Sequence, residues 1–238
     1  MNGYEYQVYR NFSVQHYGAL FVFTIIAVWL IIKGQKLDTG RKIRLFRMLS
    51  FIPLFALLLR LILDHFSRGL NVQDDLPLHL CRILAVLAPV IVYLNNSKAI
   101  KIYIYIALAG TLNAMITADP GFGFPHYEYF LYWIYHGGII MVAFFAWTVM
   151  KVRLNMVSGL LAFLSINVYF VFVHLINVWL SSNYMYSRHK PPVTTLMDHL
   201  GEWPVYIFWL EGIAILLLAA IFFLEKLIFG KIPGNQDE

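Results

Sequence analysis

Cys81 and His136 are the residues of this chain best suited to covalent chemistry. A thiol is intrinsically a good nucleophile and an imidazole is the usual base that takes its proton. Cys81, the only cysteine, sits in LPLHLCRI. There Pro77 is predicted to occupy the first turn of a helix, which puts the thiol within about two turns of the helix N-terminus. The positive end of the helix dipole and the adjacent Arg82 would then favour thiolate. His136 lies in WIYHGG, where Gly137 and Gly138 would let a neighbouring helix or a substrate approach closely. Acyl transfer also needs a group to orient the imidazole and one to stabilise an oxyanion. Asn113, Asn177 and Asn183 have the amide for the first task, while Arg82 and Arg60 could hold a phosphate or a developing negative charge.

Each of these residues also has a plainer reading. A lone cysteine in an apolar helix is a small buried hydrophobe, His136 is a histidine donating to a neighbouring helix, and Arg60 with Asp64 is an i,i+4 salt bridge. His79, Cys81, His136 and His174 offer enough ligands for zinc. However, His79 and Cys81 are two apart on a predicted helix and point to opposite faces. No metal and no other cofactor is expected.

The elements that must position these groups are membrane spans. A chain that is 60% hydrophobic and 13% charged is not an ordinary soluble domain. Runs of about 20 apolar residues, the length that crosses a bilayer, are predicted near 13–32, 45–63, 76–94, 99–118, 129–150, 156–180 and 203–224. The expected fold is therefore all-α: a polytopic bundle of about seven transmembrane helices forming a single domain over 1–238. The leading MNGYEYQVYRNF has neither the basic stretch nor the cleavage site of a signal peptide, so the first span is expected to remain.

Lys and Arg set the orientation. Twelve fall in one set of loops (Lys33, Lys36, Arg41, Lys42, Arg44, Arg47, Lys98, Lys101, Lys151, Arg153, Lys226, Lys231), and four in the other (Arg10, Arg68, Arg188, Lys190). The N-terminus is therefore expected outside and the C-terminus in the cytoplasm. The net charge of +5 is explained by these loops, and no nucleic-acid partner is expected. Arg60, His79, Cys81, Arg82, Asn113, His136, His174, Asn177 and Glu211 all fall toward the outer ends of their spans. Polar groups are costly there without a use. They predict a working cavity on the extracytoplasmic side of a cell-membrane protein, beneath the outer loops DPGFGFPHYE and SSNYMYSRHKPPVTTLMDHLGE. The inner halves of the spans read as apolar.

LPLHLC at the start of one span, IYHGG in a later one, NYMYSRHKPP after the next and GEWPVYIFW before the last resemble, in this order, the bacterial YwaF-type integral membrane proteins. That group is similar to a vertebrate transmembrane family of phospholipid acyltransferases, and more remotely to androgen-induced hydrolases of lipid esters. The resemblance implies a catalytic pair of Cys81 and His136, a thioester intermediate, and a phospholipid or lysophospholipid as partner. By the same resemblance Asn183, Tyr184 and Met185 shape the outer mouth. The alternative is a non-catalytic transporter, or a protein that binds lipid or a small molecule in the same cavity. In a third reading the polar cluster merely fastens helices together.

Overall fold

A computed structural model describes residues 9–191 and 196–230, which leaves Lys231 and the stretch 192–195 of the long loop SSNYMYSRHKPPVTTLMDHLGE outside the described residues. Seven helices carry the apolar runs: α1 Val14–Gln35, α2 Thr39–Arg68, α3 Leu80–Leu94, α4 Ser97–Ile116, α5 Tyr127–Val149, α6 Met156–Leu180 and α7 Val205–Phe229. Six are long and apolar enough to cross a membrane, whereas α3 has 15 residues. At 1.5 Å per residue that is about 22 Å, short of a hydrocarbon core of about 30 Å. The chain is an all-helical, multi-pass membrane protein.

The predicted third span is thus four residues too long, for a reason visible in the backbone. Residues before α3 are held in a loop by polar contacts. The Arg82 guanidinium donates to the carbonyls of Asp74 (2.5 Å) and Leu76 (3.1 Å), and His79 is the extended N-cap at φ −67, ψ 143. Pro77 therefore precedes the helix instead of occupying its first turn, and Cys81 is the second helical residue.

Other helices outrun their apolar cores because something caps them. The Asp38 carboxylate accepts from Arg41 N at 3.0 Å, so α2 begins six residues before the predicted 45. It ends at Gly69, whose φ of +76 suits a residue without Cβ. α7 continues past 224 because Glu225 is buried and accepts from the Trp147 indole N–H. The half of the bundle expected to be apolar therefore holds a buried carboxylate.

Burial ranks the helices. The most apolar stretch of α5 is 83% buried, against 11% for α1 and for α7, so α5 is the central post and the others surround it. α2 packs mainly on α5 and α3, and α4 packs on α6. A Cβ added to Gly138 would stand 3.0 Å from Pro53 Cδ, and one on Gly137 2.8 Å from the Phe23 ring, so this glycine pair serves the close approach of α2 and α1. The large exposed apolar residues of the outer helices, such as Phe21, Trp29, Val168, Trp179 and Leu216, form the surface a bilayer covers.

Candidate functional site

Cys81 lies where the first turn of α3 meets a π-helical turn of α4, Ala107–Thr111. An i→i+5 turn accommodates one extra residue and redirects the side chains that follow. Here it presents the fully buried Thr111 to the thiol, with Sγ and Oγ1 3.7 Å apart. From α5, Tyr135 is a second polar neighbour of the thiol. Its ring centroid lies 4.1 Å from that of His136, and the Tyr132 ring packs on the same imidazole at 4.0 Å. Cys81 and His136 thus share Tyr135 as a neighbour, and the nearest polar contact of the thiol is Thr111.

His136 is held in one tautomer. Its Nδ1 is 2.9 Å from the Tyr132 carbonyl oxygen. A carbonyl can only accept, so Nδ1 carries the proton and in the neutral ring Nε2 keeps its lone pair. The group that orients the imidazole is a main-chain carbonyl one turn back along α5, and not one of the three asparagines predicted for that task. Asn113 donates to the Ala109 carbonyl at 3.4 Å, and Asn177 and Asn183 are engaged in the loop after α6.

Arg60 and Arg82 both lie close enough to this cluster for their charges to act on it and carry different partners. Arg60 meets Glu128 at 3.1 Å and Asp64 at 3.6 Å, which establishes the predicted i,i+4 pair and extends it. Arg68 joins Asp64 at 3.2 Å and holds Asp75 with both terminal nitrogens, at 2.7 and 3.1 Å. The Tyr127 hydroxyl donates to Asp64 at 3.1 Å. Burial alone would raise the Asp75 carboxyl, but the Arg68 hydrogen bonds, the Asn71 N–H and the charges of Arg68 and Arg82 hold it below the usual carboxylate value. Arg82 spends its hydrogen bonds on carbonyls, and no carboxylate lies within ion-pair distance of it among the described residues.

The remaining predicted residues separate into a structural latch and two outliers. Asn177, fully buried, donates to the Tyr184 carbonyl and the Ser187 hydroxyl, both at 2.8 Å, and accepts from Tyr184 N and the Ser182 hydroxyl. Tyr184, also fully buried, donates to the Val72 carbonyl at 2.7 Å and accepts from Leu76 N at 3.0 Å. His79 Nδ1 accepts from Met185 N at 3.4 Å, and burial, then the Arg82 charge, push its pKa down to about 4. His174 adds a 3.0 Å contact to the Ser187 hydroxyl, and Asn183 braces its own loop through the His189 carbonyl at 2.7 Å. The NYMYS segment thereby clamps residues 72–79, the strap that delivers Cys81. Glu211 lies apart, accepting from Asn167 at 3.0 Å between α6 and α7, and Asn113 is exposed on α4.

An apolar cleft of about 450 Å³ runs between α1, α2 and α5 past Phe130, Trp133, Gly137 and Met141. These residues lie on the face of α5 opposite Tyr132, Tyr135 and His136, so the cleft flanks the cluster without containing it. Among the described residues no three His, Cys, Asp or Glu side chains converge as metal ligands would. Sequence reasoning missed Thr111, Tyr132, Tyr135, Glu128 and Asp75. A hydroxyl in an apolar helix is common and a π turn has no sequence signature. Asp75 was detectable as an acid just ahead of a span.

A family model described as the TMEM164 family matches residues 11–222. No curated protein and no solved structure matches the chain.

Proposed function

The chain belongs to the TMEM164 family, and from that premise we propose that it is a membrane-embedded lipid acyltransferase or lipid-ester hydrolase working through Cys81 and His136. The observation that carries the reading is the fixed tautomer of a buried histidine: Nδ1 is committed to the Tyr132 carbonyl, so Nε2 is the basic nitrogen, beside a shell shared with the thiol. In the proposed reaction Nε2 takes the thiol proton, directly or through the Tyr135 hydroxyl, and Sγ attacks the acyl carbonyl of a phospholipid. The ester C–O bond breaks, the imidazolium returns its proton to the leaving hydroxyl, and a thioester remains on Cys81. A lysolipid hydroxyl, or water, then attacks the thioester with His136 again as base. The hydroxyls of Thr111 and Tyr135 stabilise the oxyanion, and Arg82, which has no carboxylate of its own, holds the headgroup phosphate. By the distribution of Lys and Arg, this end of the bundle faces the extracytoplasmic side.

The test is intact-protein mass spectrometry after incubation with phospholipid, sampled from short times. A hydroxylamine-sensitive acyl adduct on the wild type, lost in Cys81→Ser and not formed in His136→Ala, is expected. Lipid bound without any adduct at any time would overturn the catalytic reading. It would favour a second one, lipid binding or transport without covalent chemistry, which is supported by the thiol's contact with Thr111 in place of the imidazole.

A further inference from the structure

A second built site lies at the opposite end of the bundle from Cys81. Gly40, Arg44, Arg47 and Phe51 follow one another at intervals of three or four residues, which places them on one stripe of α2. Tyr93, in the last turn of α3, faces that stripe, and between them is a cleft of about 460 Å³. The Arg47 guanidinium stands 4.9 Å over the Tyr93 ring centroid, and Phe51 meets the same ring edge-on at 5.8 Å. Met48 and Phe51 make the wall apolar on the side toward the span, while Arg44 and Arg47 make it cationic on the side toward the helix start.

Neither arginine is neutralised. Among the described residues no carboxylate lies within ion-pair distance of Arg44 or Arg47. The nearest acid along the chain, Asp38, accepts from Arg41 N at 3.0 Å to cap α2 and pairs with Arg41 Nε at 3.2 Å. A cation–π contact with Tyr93 engages the Arg47 guanidinium, and planar guanidinium forks suit phosphate oxygens. The surrounding Lys33, Lys36 and Lys42 add a diffuse positive field that no cleft is needed to explain. The cleft adds two arginines in its lining, one of them over the Tyr93 ring, and an apolar wall beside them.

We propose that this cleft binds an anionic phospholipid from the leaflet at this end, its phosphate between Arg44 and Arg47 and its first acyl carbons on Met48 and Phe51. Charge complementarity and the join of cationic and apolar walls at the membrane boundary favour a lipid over a soluble anion. The site is independent of the chemistry at Cys81.

Native mass spectrometry of the full chain in detergent, titrated with phosphatidylglycerol or phosphatidylcholine, tests it. The wild type is expected to retain phosphatidylglycerol at least tenfold more tightly than phosphatidylcholine. R44Q/R47Q should lose that preference, whereas K33Q/K36Q, which removes the same charge outside the cleft, should keep it within twofold. Tyr93→Leu, which removes the stacking partner and no charge, should weaken it several-fold. Equal loss in the two charge-matched variants would reduce the effect to a diffuse field and overturn the site. Absence of lipid preference in the wild type would overturn it without any variant, and competition by inorganic phosphate at equal concentration would overturn the assignment to a lipid.

Discussion

Asn177→Ala should be among the most damaging single truncations in this protein, although the residue touches neither Cys81 nor His136. Its amide makes four hydrogen bonds at a site with no exposed surface. Truncation strands the Tyr184 N–H, the Tyr184 carbonyl and the Ser182 hydroxyl where water does not reach. At about 1–2 kcal/mol for each buried group left unsatisfied, the loss is about 3–6 kcal/mol. At about 2–4 °C per kcal/mol for a chain of this size, the melting temperature in detergent should fall by about 6–24 °C. Asn183→Ala, whose bonds lie in the exposed part of the same loop, is the control and should cost less than about 1 kcal/mol. The clamp on residues 72–79 predicts a second effect: limited proteolysis of the wild type should spare that strap, while Asn177→Ala should expose it. A melting temperature within about 3 °C of the wild type, or equal sensitivity at Asn183, would refute the latch.

Three further outcomes follow from the same geometry. The His79 pKa of about 4 lies below the unfolded value of about 6.5, so the unfolded chain binds more protons between those limits. Stability should be intact above pH 6.5 and decline by about 3 kcal/mol as pH falls to 4; thermal melts across that range should show the slope, and His79→Gln should flatten it. Gly138→Ala should cost about 1–3 kcal/mol and more than Gly137→Ala, because its Cβ meets Pro53 N at 3.1 Å whereas the other meets only a side-chain ring; equal melting temperatures would count against that packing. Glu225→Leu should cost about 1–3 kcal/mol by stranding the Trp147 indole N–H, and Glu225→Gln, which keeps an acceptor, should cost less in the same melts.

The spans were legible because a bilayer demands a long apolar run and leaves few ways to write one. Their ends were less legible, since ends are set by partners far away in sequence. Leu80 begins α3 because Arg82 and Tyr184 hold the preceding residues in a run of turns, and Glu225 stays helical because the Trp147 indole N–H donates to it. The candidate site divides in the same manner. Cys81, His136, Arg60 and Arg82 were visible as costly residues in apolar surroundings. Thr111 was not, because only the π turn of α4 brings it to the thiol. Tyr184 is legible as part of the NYMYSRHKPP motif and Asn177 as a polar residue in an apolar span, but their joint role emerges only when the loop after α6 is seen folded over the strap before α3.

That Cys81 is the only cysteine and is packed against Thr111 beneath the clamped strap turns it into a clock for the bundle. A thiol reagent added to the native protein has one atom to modify, on a half-buried residue, so its rate follows how far the packing of α3 on α4 leaves the sulfur open. Loosening the strap should raise the labelling rate, and an added lipid that closes the strap should lower it, so breathing at this end of the protein is measurable without introducing a probe.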